Sequence, residues 1–277
     1  MMNESLKLAA VIGHPISHSK SPKMHGYWLE QNKINGHYIP LSISPDDFRR
    51  LVPELAKMGF VGANVTIPHK LSALEIATKV SDRAQLIGAA NTLTFGVDGE
   101  IFADNTDGYG FITNIKTVCR DWAASDGPSL VLGAGGAARA VLSALLDDGA
   151  PQILITNRTR SKADSLKRDF GDRISVIDWA DISKNLYGLN TLINTTSLGM
   201  VGKDKMDLDL TNLSSQTLVT DIVYTPLETE LLKIASRKGC RTVDGLGMLI
   251  YQGIPGFEKW FGKTPIVTPE LREILLK

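Results

Sequence analysis

The chain has 277 residues, 43% of them hydrophobic, with 30 basic and 30 acidic side chains and a formal net charge of zero. Such a length suits about two domains, and the apolar content suffices for packed cores. Balanced charge argues against a general nucleic-acid binder or a membrane-surface protein, and no apolar run approaches the ~20 residues of a membrane span.

Cys119 and Cys240 show neither CxxC nor zinc-site spacing and read as free thiols of a reducing compartment. The opening MMNESLKLAAVIGHP has too short an apolar run for a secretory leader, so a cytoplasmic location is expected. Leu8–Gly13 reads as a strand running into a turn, and Ser21-Pro22 as a helix start with Ser21 at the N-cap. A strand over His37–Ile43, a helix over Pro45–Lys57 and a strand over Gly62–Ile67 follow, then a helix to about Thr78. Ala90–Phe95 and Glu100–Asn105 flank Gly96-Val97-Asp98-Gly99, so they form a hairpin and give a mostly parallel sheet an antiparallel edge. A helix then runs from Asp107 to about Ala123.

The second half alternates strand and helix. Strands are expected over Ser129–Gly133, Gln152–Asn157, Ser175–Ile177, Thr191–Asn194 and Leu218–Val223. One helix carries Ala138, Val141, Leu142 and Leu145 on a face, and another spans Ser161–Phe170. From about Gly245 the tail is too apolar for an appendage and reads as helices returning to the first domain. The expected fold is α/β. An N-terminal substrate domain with a mostly parallel sheet comprises 1–106 and 246–277, and a Rossmann-type doubly wound domain comprises 107–245.

Gly133-Ala134-Gly135-Gly136-Ala137-Ala138 fits G-x-G-x-x-A between a strand and a helix, the context in which this motif binds a dinucleotide. Gly133 permits the tight turn, Gly135 lets backbone approach a pyrophosphate, and Ala138 lets helix pack against strand. An NAD site places Asp or Glu at the end of the next strand. Here that strand ends Asn157-Arg158-Thr159, with Lys162 further on, and these cations suit the 2′-phosphate of NADP.

In the first half, His18-Ser19-Lys20-Ser21-Pro22 puts two hydroxyls at a helix start, able to hold a carboxylate or simply to cap. Lys70 follows Thr66-Ile67-Pro68-His69 at a helix start that disfavours a cation, which hints at a task, although an exposed idle lysine is the other reading. Asn91-Thr92 and Asn105-Thr106-Asp107 mark the hairpin ends, with Asp107 where the two halves meet. His14, His18 and His25 have no acidic companion, so no metal site is expected.

Taken in order, GHPISHSKSPKMH, GANVTIPHK, IGAANT, ADNTDGYG, LGAGGAARA, NRTRSKA, INTTSLGM, VTDIVYTPLET and DGLGMLIYQG resemble the shikimate/quinate dehydrogenase family over nearly the whole chain. Gly26 is a departure, since many relatives carry Asn or another polar residue there. The resemblance implies NADPH-dependent reduction of 3-dehydroshikimate to shikimate, with Lys70 and Asp107 as the catalytic pair. It implies that Ser19 and Ser21, with Tyr224, bind the carboxylate, and that Thr66, Asn91, Asp107 and Gln252 bind the ring hydroxyls. Gly133–Ala138, Asn157, Arg158, Thr159 and Lys162 should bind NADP, with Ile222 and Gly245 beside the nicotinamide. The implied partners are a small-molecule substrate and, for a monomer or homodimer, at most a second copy. Alternatives are a quinate/shikimate dehydrogenase of broader substrate or NAD use, and a non-catalytic NADP or metabolite sensor. A sensor would be expected to lack Lys70 or Asp107, and both are present.

Overall fold

The computed structural model describes residues 6–96 and 98–277. Residues 1–5 of the segment read for a leader, and Val97 of the hairpin turn, lie outside the described residues. The chain divides into two compact units, one formed by the chain up to Thr106 with Ile250–Lys277, the other by Asp107–Leu249. The return to the first unit falls at Ile250 rather than 246, inside one unbroken helix.

In the first unit the order is β1 (Lys7–Gly13), α1 (Ser21–Gln31), β2 (Gly36–Ser42), α2 (Pro45–Leu51), β3 (Phe60–Val65), α3 (Lys70–Glu75), β4 (Lys79–Val80), α4 (Asp82–Ile87), β5 (Thr92–Phe95) and β6 (Ile101–Asp104). Their sheet has the order β2-β1-β3-β5-β6-β4. β1 runs parallel to β2 and β3, while β5 is antiparallel to both β3 and β6. The reversed strand β5 therefore lies inside the sheet, between β3 and β6, not at its edge, and the two-residue β4 pairs parallel to β6 beyond the hairpin. The helix expected over Pro45–Lys57 is broken after Leu51 and continues as a 3₁₀ segment from Pro53 to Met58. Pro53 has no N–H to donate into the preceding turn, which accounts for the break.

The core of this unit gathers Ala10, Ile12, Phe48, Val65, Leu93 and Ala103, all buried. The indole N–H of Trp260 donates to the Leu93 carbonyl at 3.0 Å, and a Cβ at Gly62 would sit 1.9 Å from that indole nitrogen. Gly62 is thus the residue that lets a helix lie this close on the sheet.

In the second unit the order is α5 (Asp107–Val118), β7 (Ser129–Leu132), α6 (Gly136–Asp147), β8 (Ile153–Thr156), α7 (Arg160–Phe170), β9 (Ile174–Val176), β10 (Thr191–Asn194), β11 (Leu218–Asp221), α8 (Glu230–Arg237) and β12 (Arg241–Val243). α9 (Gly245–Phe261) begins here and ends in the first unit, followed there by α10 (Pro269–Leu276). The sheet order is β12-β11-β10-β7-β8-β9, with every pairing parallel. Read outward from β7, this is the doubly wound order whose direction reverses between β7 and β10. β7 is buried throughout, with apolar side chains on both faces, as a central parallel strand requires. No described helix is long and apolar enough to cross a membrane.

Candidate functional site

Within the first unit, β1, β3 and β6 end, and β5 begins, at one edge of the sheet. The Val65 N–H donates to the Asn91 carbonyl (2.8 Å) and the Asn91 N–H to the Asp104 carbonyl (3.0 Å), which fixes that alignment. Open α/β sheets bind ligands at the carboxyl ends of their parallel strands. Ser19 and Ser21 lie just after β1, Thr66 and Lys70 just after β3, Asn91 just before β5, and Thr106 just after β6.

The loops after β1 and β3 hold each other. The His14 N–H donates to the Ile67 carbonyl (3.1 Å), and the Thr66 N–H to the Ile12 carbonyl (2.9 Å). Ser21 does not cap α1 as expected. It is the first helical residue, preceded by Lys20, which has a helical conformation and whose side chain makes no capping bond. The Ser19 hydroxyl instead accepts the Ser21 N–H at 3.3 Å.

Lys70 is half-buried and opens α3. Its neighbour His69, which sequence reasoning passed over, is buried, stacked on Phe48 with centroids 4.5 Å apart, and has Nε2 2.8 Å from the Ile43 carbonyl. Burial pushes the His69 pKa below its usual value. The backbone also ties Lys70 to the next strand, since the Ala90 N–H donates to the Lys70 carbonyl (2.9 Å).

Asn91 and Gln252 meet, the Asn91 amide donating to Gln252 Oε1 at 3.2 Å. Asn91 Oδ1 accepts from the Thr106 N–H (2.8 Å) and from the Thr92 hydroxyl (2.9 Å). Thr106 also donates its hydroxyl to the Gln252 carbonyl at 2.8 Å. Beside this network, Asp104 takes both Arg83 Nε (2.7 Å) and Nη2 (2.5 Å), the Ser81 hydroxyl (2.6 Å) and the Asn105 N–H (2.8 Å). Burial pushes the Asp104 carboxyl up, but Arg83, Ser81 and the Asn105 N–H together hold it below the usual carboxylate range.

In the second unit, Gly133 leaves β7 with φ +109°, a region that side chains disfavour, and its Cβ would lie 2.7 Å from Thr195 Oγ1. Gly135 caps α6, and a Cβ at Gly135 or Gly136 would meet nothing within 4 Å, so the helix N-terminus faces open space with its N–H groups. Ala138 is fully buried. At the end of β8, Asn157 Nδ2 donates to the Thr159 carbonyl (2.9 Å), and Arg158, Thr159 and Lys162 are exposed. Arg158 and Lys162 enter no ion pair among the described residues, whereas Arg160 pairs with Asp178.

Ile222 and Gly245 come together: a Cβ at Gly245 would lie 2.3 Å from the Ile222 carbonyl oxygen. Between them the chain carries half-buried Tyr224, whose pKa is raised by burial. The loops around Ile222 hang on Asp221, which the sequence reading did not single out. Its carboxylate accepts from Asn194 Nδ2 (2.8 Å), the Val223 N–H (3.0 Å) and the Thr229 hydroxyl (2.7 Å). Burial pushes its pKa up to about 6 against those three bonds. Asp107 is buried at the start of α5. Among the described residues no group of three or more His, Cys, Asp or Glu side chains suits a metal ion.

Three family profiles match this chain: the shikimate dehydrogenase substrate binding domain over residues 11–93, shikimate/quinate 5-dehydrogenase over 121–234, and the shikimate 5′-dehydrogenase C-terminal domain over 245–267. A curated relative from Roseobacter denitrificans, named shikimate dehydrogenase (NADP(+)), is 56% identical over 276 residues, covering 100% of both chains. The crystal structure of shikimate 5-dehydrogenase from Thermus thermophilus, in complex with NADP(H) and shikimate, is 34% identical with a TM-score of 0.86, covering 98% of each chain. Quinate dehydrogenase from Corynebacterium glutamicum, in complex with NAD, is 28% identical with a TM-score of 0.91, covering 98% of this chain and 99% of that one.

Proposed function

The chain belongs to the shikimate dehydrogenase family, and on that premise we propose that it catalyses the reversible, NADPH-dependent reduction of 3-dehydroshikimate to shikimate, a step toward the aromatic amino acids. The observation that carries the reading is the set of hydroxyl, amide and ammonium side chains at one edge of the first sheet. It suits a small ring bearing a carboxylate and several hydroxyls. Ser19 and Ser21, with Tyr224, bind the carboxylate. Thr66, Asn91, Asp107 and Gln252 bind ring hydroxyls.

The dinucleotide loop fits NADP. Gly135 and Gly136 leave room for phosphate beside the helix N-terminal N–H groups, and the turn after β8 carries Arg158 with no carboxylate at 157–159. Gly133–Ala138 would hold the pyrophosphate, Asn157, Arg158, Thr159 and Lys162 the 2′-phosphate and its ribose, and Ile222 and Gly245 the nicotinamide side. NADPH supplies the hydride when bound. Lys70 stabilises the negative charge developing on the ketone oxygen and delivers the proton there. Asp107 orients the same hydroxyl. We place the enzyme in the cytoplasm as a monomer or homodimer.

The test is NADPH formation from shikimate, followed by absorbance, with quinate and NAD in parallel. Turnover of shikimate with NADP and little with NAD is expected. Preference for quinate or NAD would move the chain to the broader class, and no turnover with any pair would leave a sensor.

A further inference from the structure

A single backbone proton fixes the polarity of a buried hydrogen-bond chain in the first unit. The Thr106 N–H can only donate, so the atom of Asn91 that faces it at 2.8 Å is the amide oxygen. Asn91 therefore turns its NH₂ toward Gln252, whose Oε1 accepts at 3.2 Å. The same oxygen takes the proton of Thr92 at 2.9 Å, leaving the Thr92 oxygen to accept from Asn64 Nδ2 at 3.3 Å. Asn64 Oδ1 then accepts the phenolic proton of Tyr38 at 2.7 Å. Asn64, Asn91, Thr92 and Thr106 are 5% exposed or less, so water does not compete for these bonds.

We propose that Thr92 and Asn64 are positioning residues for substrate recognition: with Thr106 they lock the Asn91 and Gln252 amides in one orientation, so that Gln252 meets a substrate hydroxyl as a donor through Nε2. This rests on the reading above that Asn91 and Gln252 bind the ring hydroxyls. Neither positioning residue touches the reacting atoms. Their effect is on how sharply the site tells a hydroxyl from its absence, because an amide free to rotate can satisfy itself elsewhere and no longer penalises a missing group.

The experiment measures kcat/KM for shikimate and for its 4-deoxy and 5-deoxy analogues, which lack one non-reacting hydroxyl each. Thr92→Val keeps the volume and removes the hydroxyl. It should lower the preference for shikimate over at least one analogue by roughly two- to tenfold, the worth of one net hydrogen bond. KM for NADP should stay unchanged, and Thr92→Ser should restore the wild-type preference. Tyr38→Phe, at the far end of the chain, gives a second reading should Thr92→Val not fold, with a smaller shift of the same sign. Wild-type preference retained in both variants overturns the inference. A wild-type enzyme that turns over neither shikimate nor quinate overturns the proposed function instead.

Discussion

Lys70 stands at the first residue of a helix, where the backbone dipole disfavours a cation, and it is only half-buried. His69 beside it is stacked and hydrogen-bonded, so the turn that carries Lys70 is fixed independently of the lysine itself. If Lys70 supplies the proton, Lys70→Ala should lower kcat by roughly 10²–10⁴-fold. KM for shikimate should move far less if, as proposed, Ser19, Ser21 and Gln252 hold the ring, and a near-normal kcat would remove Lys70 from the chemistry. Arg158 makes no ion pair among the described residues and is exposed at the end of β8. Arg158→Ala should raise KM for NADP about ten- to a hundredfold, the worth of a charge-assisted phosphate bond, and leave NAD nearly untouched. Equal losses for both cofactors would refute the assignment. Both residues stand out in the sequence as candidates because each carries a local signal: a cation after Pro68-His69, and a missing carboxylate after a glycine motif. Tyr38, Asn64 and Thr92 were not legible in this sense, because their partners come from strand register across 26 to 28 positions. No spacing rule reports such a register.

At the scale of elements, the strand–turn–helix β7–α6 was readable because glycine, periodicity and strand composition agree there. The turn geometry gives its own test. Gly133→Ala forces a side chain into φ +109° and to within 2.7 Å of Thr195 Oγ1, a buried hydroxyl bonded to the Leu132 carbonyl. Loss of stability on the order of 1–3 kcal/mol is expected from the backbone conformation. NADP affinity should fall with it, and thermal unfolding with and without NADP measures both. An alanine variant as stable as wild type would show that the turn relaxes. Gly135→Ala, at an open position, should spare the fold and weaken cofactor binding alone. Other elements were missed for plain reasons. β4 has two residues and α4 six, too few to show a period. α8 buries Leu231, Leu232 and Ala235 and is capped by Thr229, whose hydroxyl accepts the Leu232 N–H. Its signal, Thr-Glu before an apolar stripe, was present but lay inside a stretch read for its neighbours Ile222 and Tyr224.

Across the whole molecule, the two units carry buried ionisable groups of opposite sign in their response to acid. In the first, burial drives His25 down from 6.5 to about 3, its ring stacked on Tyr38 at 3.9 Å. A group whose folded pKa is depressed lends stability above its unfolded value and loses it as pH falls toward the folded one. His25 thus weakens the first unit from about pH 6.5 downward, and Asp104, also depressed, adds to the loss below about pH 4. In the second unit Asp221 is raised from 3.8 to about 6, so its contribution is present below pH 3.8 and lost as pH rises through 6. Acidification from pH 7 to 4 should therefore cost the first unit protection while Asp221 offsets losses in the second. Hydrogen exchange, corrected for intrinsic rates, should show amides of β1, β3 and β5 losing protection more steeply with acid than those of β7, β10 and β11. Asp221→Asn removes the titrating group while nearly keeping its shape, so in that variant the slope of the second sheet should steepen toward that of the first. Equal slopes in the wild-type protein, or earlier loss in the second sheet, would show that these three groups do not govern its response to acid.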